Sequence, residues 1–179
     1  GFDLAKEIYI ALKYGKISVW AWWTFSRWNA NSIDETLVFQ GKKQRTYYAS
    51  KHFYKYIRPG AQQIESSCND SDILVLAFYH QKKSMYTLIL INNSGQYKEV
   101  SLNNPMVPEK MHVYASSKLR NFQPMQDMKS GTLELLPHGL YTLVCQDTAN
   151  ASPNIQSNTK EIVILKNDKD IEIGLENIH

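Results

Sequence analysis

The most constraining feature of this sequence is the aromatic stretch from Lys16 to Trp28, KISVWAWWTFSRW, which contains all four tryptophans of the chain. Successive side chains of an extended segment point to opposite faces, and neither face of this stretch is clearly polar. The pattern predicts a strand from Ile17 to Thr24 that is buried on both sides, as in a parallel sheet covered by helices.

The end of this stretch suggests a binding surface. A strand that ends in aromatic residues, followed by a loop with Ser26, Arg27 and Trp28, has the layout of a sugar-binding floor at the open end of a sheet. The alternative is that the indoles belong to the core, because large aromatic side chains dominate core burial. Both interpretations stay open on the sequence alone.

The flanking segments predict helices. Residues Leu4–Tyr14 carry an apolar stripe at helical spacing behind Asp3, and Gln44–Arg58 carry another that ends at Pro59-Gly60. Asn29–Lys43 has the composition of a long loop. Helix, buried strand, loop and helix together are typical of one β/α repeat.

From Gln62 onward the apolar pattern changes to a period of two, with many turn signals between short segments. This predicts an antiparallel β-sandwich over residues 61–147. The predicted strands are Ile73–Tyr79, Met85–Ile91, Tyr97–Leu102, Met111–Ala115, Thr132–Leu136 and Leu140–Cys145.

The last part of the chain, residues 148–179, begins with a polar linker, Thr148–Asn158. Glu161–Leu165 and Asp170–Gly174 follow as two short predicted strands around a polar turn. These strands either complete the sandwich or begin another module.

Charge and cysteine content exclude several classes. The net charge is +3 with scattered basic residues, which argues against a nucleic-acid partner. No apolar run reaches the ~18 residues of a membrane span. Cys68 and Cys145 form no zinc-type pattern, so neither a metal nor a cofactor is expected. They are expected to be lone core thiols, with a disulfide as the alternative for an exported protein.

One β/α unit cannot stand alone, because its strand needs neighbouring strands to pair its backbone groups. Residues 1–58 are therefore predicted to be the tail of a larger β/α domain. The remainder of that domain would come from the same protein or from a second chain.

The segment KHFYKYIRPGAQQI, from Lys51 to Ile64, resembles the last barrel helix of glycoside hydrolase family 30. The family motif is Y-x-x-x-H-F-S-K-F-I-R-P-G, and Tyr54 stands here where serine is usual. The segments LVLAFYH, YTLILINNS and LPHGLYTLV are also similar to the side β-domain of that family. The resemblance extends from about Phe2 to Val144.

The resemblance implies a mainly β fold: an antiparallel sandwich preceded by a helix-strand-helix remnant of a (β/α)8 barrel, residues 1–60. The family hydrolyses β-linked glycans such as xylan or β-glucan, or glucosylceramide, with retention. Retention needs two carboxyl groups ~5–5.5 Å apart, which the family places on the fourth and seventh barrel strands. The chain is thus expected to be a carboxyl-terminal fragment without catalytic residues, from a protein that is secreted, periplasmic or on the cell surface.

The candidate carboxylates of this chain agree with that expectation. Glu7 lies on a predicted helix face, and Asp34 and Glu35 are adjacent in a loop. The histidines lack the spacing of a nucleophile and base, and His52 is expected to pack against the sandwich.

By resemblance, the substrate-binding residues are aromatic side chains at the strand end together with one cation: Trp22, Trp23, Phe25, Arg27 and Trp28. An indole face stacks on the apolar face of a pyranose, and Arg27 could pair with a carboxylate such as a glucuronate branch. The alternative for Arg27 is a surface salt bridge.

A second function is a non-catalytic carbohydrate-binding or scaffold module formed by residues Gln62–Cys145. Its strand aromatics are interspersed with aliphatic residues, so most of them are expected to pack within the sheets. They are Phe78, Tyr79, Tyr86, Tyr97, Tyr114 and Tyr141.

Overall fold

The structure is a computed structural model that describes residues 1–29, 36–102, 110–129, 132–146 and 161–166. Helices α1 (Phe2–Lys13) and α2 (Arg45–Tyr54) lie side by side in the first third of the chain. Both predicted helices are confirmed, although α2 ends at Tyr54 rather than Arg58. No helix within these ranges is long and apolar enough to cross a bilayer.

A small three-stranded sheet lies between the helices in sequence. It consists of β1 (Ser26–Arg27), β2 (Val38–Phe39) and β3 (Lys42–Lys43). β1 runs parallel to β2, and β2 runs antiparallel to β3. Gln40 and Gly41 both have positive φ angles, 48° and 75°, which is the conformation of a tight two-residue hairpin turn.

The strand predicted from Ile17 to Thr24 is wrong. This segment has no regular secondary structure, with bends at Ser18 and Trp23, and strand pairing begins at Ser26. A strand requires a hydrogen-bonded neighbour, and among the described residues no strand pairs with Ile17–Trp23. The backbone bond from the Leu37 N–H to the Thr24 carbonyl lies at the very end of the segment. Its attachments include a backbone bond from Ile17 to Ala11 and a side-chain bond from Tyr54 to Trp20.

The remaining strands form one large sheet that folds over on itself, in the order β10-β8-β12-β6-β5-β4-β13-β7-β11, with β9 also pairing with β8. The strands are β4 (Gln62–Cys68), β5 (Ile73–His80), β6 (Met85–Asn92), β7 (Lys98–Ser101), β8 (Lys110–Ser116), β9 (Gln123–Pro124), β10 (Met128–Lys129), β11 (Thr132–Leu135), β12 (Leu140–Gln146) and β13 (Glu161–Lys166).

The two layers of the sandwich share strand β4. Its first residues pair antiparallel with β5, and Glu65–Cys68 pair parallel with β13. One layer therefore contains β8, β12, β6 and β5, and the other contains β13, β7 and β11. The core between the layers is fully apolar at its centre, where it includes Ala77, Leu88, Leu90, Val100, Met111, Leu135 and Leu143.

The helices pack on the outer face of the first layer. Leu76, Phe78, Ile89 and Ile91 of β5 and β6 project outward to a second core, which includes Leu4, Ile8, Ala49 and Phe53 of the helices. Both faces of β5 and β6 are consequently buried. In this protein β5 and β6 have the burial on both faces that the sequence predicted for the tryptophan-rich segment.

The fold class predicted from the sequence is confirmed. All six predicted sandwich strands are present, each within one residue at either end. Of the two strands predicted near the carboxyl end, Glu161–Lys166 lies between β4 and β7 inside the sandwich. The linker Thr148–Asn158 and the strand Asp170–Gly174 lie outside the described residues.

The alternative of a disulfide between Cys68 and Cys145 is not realised. The two residues lie on β4 and β12, which β5 and β6 separate.

Candidate functional site

The candidate site is the aromatic segment Trp22–Trp28, which we call the aromatic lip. Trp23, Phe25 and Trp28 have 83%, 63% and 70% of their surface exposed. Solvent exposure of three large aromatic side chains within six residues costs free energy that burial would recover. A cluster of this kind is typical of a surface that binds another molecule.

The small sheet holds the lip in place through backbone hydrogen bonds. The N–H groups of Leu37 and Val38 donate to the carbonyls of Thr24 and Phe25, at 3.1 and 2.8 Å. The backbone N–H of Gln40 donates to the carbonyl of Arg27 at 3.0 Å, and its side-chain amide donates to the carbonyl of Trp28 at 3.3 Å. These bonds fix the backbone that carries the exposed side chains.

Trp20 and the first lip residue, Trp22, are half-buried and pack against the core of the helices and the sheet. With Ala21, Phe25, Leu37 and Tyr54 they line a cavity of about 320 Å³. The Nε1 atoms of both indoles and the Oγ1 of Thr24 are buried without a hydrogen-bond partner among the described residues. An unsatisfied buried polar group costs about 1–3 kcal/mol, so these three atoms can gain free energy from a partner.

Arg27 is half-buried on β1, beside Phe39 of β2 and, one strand further, Lys42 of β3. Residues that are level on neighbouring strands share one face of a sheet. Arg27 and Lys42 therefore lie on the same face of the small sheet, about 10 Å apart between backbones. The role of Arg27 in binding a carboxylate stays a prediction.

Carboxylates do not line the described surfaces around the lip. The 320 Å³ cavity contains no Asp or Glu. A larger groove of about 810 Å³ runs between α1, α2 and residues 16–20, and its described lining also contains none. Glu7 is exposed on α1, and Asp34 and Glu35 lie outside the described residues. The described residues around the lip are suited to binding a ligand. They include no pair of carboxyl groups that could act as acid and base.

His52 is part of the joint between α2 and the sandwich. Its ring is fully buried, with Nδ1 2.7 Å from Thr142 Oγ1 and Nε2 2.8 Å from Ser116 Oγ. The Thr142 hydroxyl donates to the His52 carbonyl at 3.1 Å, so it accepts from Nδ1–H. The Ser116 hydroxyl then donates to Nε2, while it accepts the backbone N–H of Phe122 at 2.8 Å.

The same burial keeps the His52 ring neutral. Burial first, and then the positive charge of Lys51, lower its pKa from 6.5 to about 3. A neutral, fully bonded imidazole with no access to solvent cannot exchange protons with a substrate. The prediction that His52 packs against the sandwich is confirmed.

The Pro59-Gly60 end of the motif is also structural. Gly60 has a φ of 94°, which favours glycine, and a Cβ there would lie 3.4 Å from the ring of His80. The Nε2 of His80 is 3.1 Å from the carbonyl of Pro59. The motif therefore connects the helical layer to β5.

Two residues of the site were not identified from the sequence. Trp20 and Tyr54 both line the 320 Å³ cavity, and the Tyr54 hydroxyl donates to the Trp20 carbonyl at 3.4 Å. The signal for Trp20 was available, because positions 20, 22 and 24 alternate along an extended segment. Tyr54 had no such signal apart from its replacement of the usual serine.

The fold is a β-sandwich with two helices on its outer face, and comparison with known proteins finds the same arrangement in glycoside hydrolases. No family model matches the chain. The glucuronoxylanase XynC of Bacillus subtilis is 24% identical over 127 residues, which cover 70% of this chain and 29% of XynC. The chain therefore spans less than a third of the curated relative that it matches.

Solved structures give the same result. A family 30 endoxylanase from Clostridium papyrosolvens has a TM-score of 0.67 at 17% identity, over 81% of this chain and 37% of its own. Xyn30A from Clostridium acetobutylicum has a TM-score of 0.58 at 15% identity, over 80% and 38%. A conserved exported protein from Bacteroides fragilis has a TM-score of 0.66 at 18% identity, over 80% and 34%.

The predicted resemblance is confirmed by these matches. In sequence and in fold, this chain resembles the carboxyl-terminal part of glycoside hydrolase family 30 enzymes.

Proposed function

We propose that this chain is the carboxyl-terminal portion of a retaining O-glycosyl hydrolase that acts on β-linked polysaccharides, and that its aromatic lip binds sugar units of the substrate. The observation that carries the proposal is the exposure of Trp23, Phe25 and Trp28 on a backbone fixed by the small sheet. Because such polymers lie outside the cell, we also propose that the enzyme is exported.

The chemistry of the lip suits a sugar. An exposed indole presents a flat apolar face, and stacking a pyranose against it removes apolar surface of both molecules from water. The Nε1 atoms of Trp20 and Trp22 are buried, so in this proposal the sugar contacts the exposed rings of Trp23, Phe25 and Trp28.

Xylan is the substrate that the comparisons favour among the xylan, β-glucan and glucosylceramide types, because the named relatives are xylanases. Arg27 favours branched glucuronoxylan as the substrate, because a guanidinium forms paired hydrogen bonds with a carboxylate such as that of a glucuronate branch. In this proposal the chain contributes binding and orientation, and the two catalytic carboxyl groups come from the rest of the enzyme.

The direct test is a titration of the full chain with xylohexaose, in which calorimetry and tryptophan fluorescence measure binding. We expect Trp23→Ala and Trp28→Ala each to weaken binding about tenfold, because each removes one stacking surface. Tyr97→Ala is the control, since Tyr97 is also largely exposed, at 64%, but lies on the sandwich.

Equal affinities of the lip variants and the control would contradict the lip as the binding surface. Aryl β-xyloside hydrolysis should be measured on the same samples. Turnover by the chain alone at an enzyme-like rate would contradict the assignment of the catalytic carboxyl groups to another part of the enzyme.

A structural role for the sandwich is better supported than the alternative, a carbohydrate-binding role. Phe78, Tyr79, Tyr86 and Tyr141 are buried in its layers, and among the strand aromatics considered only Tyr97 is largely exposed. The sandwich then serves as the platform on which the helices and the lip are mounted.

A further inference from the structure

Three lysines form a row along β3, helix α2 and the C-cap of that helix, which we call the lysine row: Lys43, Lys51 and Lys55. Lys43 and Lys55 are exposed and Lys51 is half-buried. Lys51 and Lys55 are one helical turn apart, about 6 Å along the axis, so their side chains extend over the same face.

Aromatic rings lie under every lysine of the row. Lys43 Nζ is 5.1 Å from the centroid of Tyr47, and Lys51 Nζ is 4.5 Å from that of Phe122. Lys55 Nζ lies 4.8 to 5.4 Å from three rings, those of Tyr56, Tyr114 and Phe122. Tyr114 and Phe122 are stacked with an interplanar angle of 11° and centroids 4.9 Å apart.

Among the described residues, no carboxylate forms an ion pair with the lysine row. Helix α2 contains no acidic residue. Asp127 near Tyr114 is already bound to His112 at 2.8 Å and to Lys110 at 3.2 Å. The pKa of Lys51 is lowered, first by burial and then by the charges of Lys55 and Lys43.

Mutual repulsion of these lysines is a cost that an anionic ligand would relieve. We propose that the lysine row is a second binding surface, separate from the aromatic lip, for an acidic polysaccharide whose carboxylates pair with the ammonium groups. The tyrosine rings beneath supply apolar edges and hydroxyl groups suited to sugar units. The choice of a polysaccharide rests on the proposed function.

The position of the row favours an extended ligand. Lys43 lies on β3, which pairs with β2, and β2 pairs with β1 of the aromatic lip. The row therefore starts at the edge of the small sheet that holds the lip and continues along α2. A net charge of only +3 makes the chain as a whole a poor match for nucleic acid or an anionic membrane.

The test compares polygalacturonate with its carboxyl-reduced form as ligands for the full chain. We expect the double variant Lys51→Gln/Lys55→Gln to bind polygalacturonate about tenfold more weakly, because two charged contacts are lost. Affinity of the original chain should fall as salt is added. The carboxyl-reduced polymer should bind weakly and equally to both proteins.

The matched control is Lys82→Gln/Lys83→Gln, which removes the same charge from two exposed lysines in the turn between β5 and β6. An equal loss in this control would show that only net charge matters and would overturn the proposal. Tighter binding of polyuridylate or of phosphatidylserine vesicles than of polygalacturonate would overturn the ligand class.

Failure of this proposal and failure of the proposed function give different results. Trp23→Ala is expected to weaken xylohexaose binding and to leave polygalacturonate binding to the row intact. If xylohexaose does not bind while polygalacturonate binds through Lys51 and Lys55, the lip assignment fails and the lysine row stands. The reverse result rejects the row alone.

Discussion

His52 and Thr142 are joined by two hydrogen bonds although they lie 90 residues apart in sequence. The imidazole Nδ1 is 2.7 Å from the threonine Oγ1, and the threonine hydroxyl donates to the His52 carbonyl at 3.1 Å. These bonds fix helix α2 to β12, which lies between β8 and β6 in the first layer. Together with the apolar packing of the helices on β5 and β6, this joint fixes the helical layer on the sandwich.

Thr142→Val should destabilise the protein, because valine has the same shape but leaves Nδ1–H and the His52 carbonyl unsatisfied in the core. We expect the free energy of unfolding to fall by about 1–3 kcal/mol in urea denaturation at neutral pH. Thr132→Val, on an exposed position of β11, is the control and should change it by less than about 0.5 kcal/mol. Equal effects of the two variants would contradict the joint.

The stability of the protein should depend on pH through His52. Its folded pKa of about 3 lies below the ordinary value of 6.5, so the unfolded state binds more protons between these two values. The stabilising contribution is therefore complete above pH 6.5 and is lost as pH falls toward 3. The maximum slope is about 1.4 kcal/mol per pH unit.

Urea unfolding between pH 5 and 6.5, above most of the carboxylate titration range, is the measurement. His52→Gln should be less stable at neutral pH and should lose this part of the slope. A variant with the same slope as the original chain would show that His52 is accessible to protons in the folded state.

Gly139 in the segment LPHGLYTLV should not tolerate a side chain. A Cβ at this position would lie 2.6 Å from Cε2 of Tyr141 and 2.8 Å from the carbonyl oxygen of Leu136. Tyr141 cannot move easily, because it is fully buried and its hydroxyl accepts the N–H of Leu136 at 2.7 Å.

We therefore expect Gly139→Ala to lower the free energy of unfolding by about 1–3 kcal/mol. Gly95→Ala is the control, since its nearest neighbour is 3.8 Å away. Thermal unfolding followed by circular dichroism distinguishes the two variants, and similar midpoints would contradict the close packing around Tyr141.

Reducing agent should not change the stability of the protein. Cys68 and Cys145 lie on strands separated by two others and form no disulfide with each other. Both thiols should react with Ellman's reagent after unfolding without prior reduction. Intact mass two units below the reduced value, measured on folded protein, would show a disulfide and contradict this strand order.

The sandwich was predictable from the sequence because its signals are local. Strands such as Met85–Asn92 combine β-branched and aliphatic residues between turn residues, and their hairpins join neighbours in sequence. The order of the strands across the sheet was not predictable. The placement of β13 between β4 and β7 depends on contacts about 65 and 95 residues away in sequence.

The tryptophan segment shows why the site was only partly predictable. Its composition is that of a buried strand, but pairing depends on neighbouring strands rather than on the segment itself. The structure instead exposes Trp23 and Trp28 and half-buries Trp20 and Trp22. The His52 joint also needed the structure, because no pattern around Thr142 or Ser116 indicates a histidine on a distant helix.

Strand β4 belongs to both layers, and β13 is what connects its second half to β7. Proteolysis after Gln146 would remove β13 and leave the facing edges of β4 and β7 without their shared neighbour. The paired strands β7 and β11 would then be held against the first layer mainly by side-chain packing. Two bare strand edges of this kind recruit strands from other molecules, so a clipped form should self-associate as it warms.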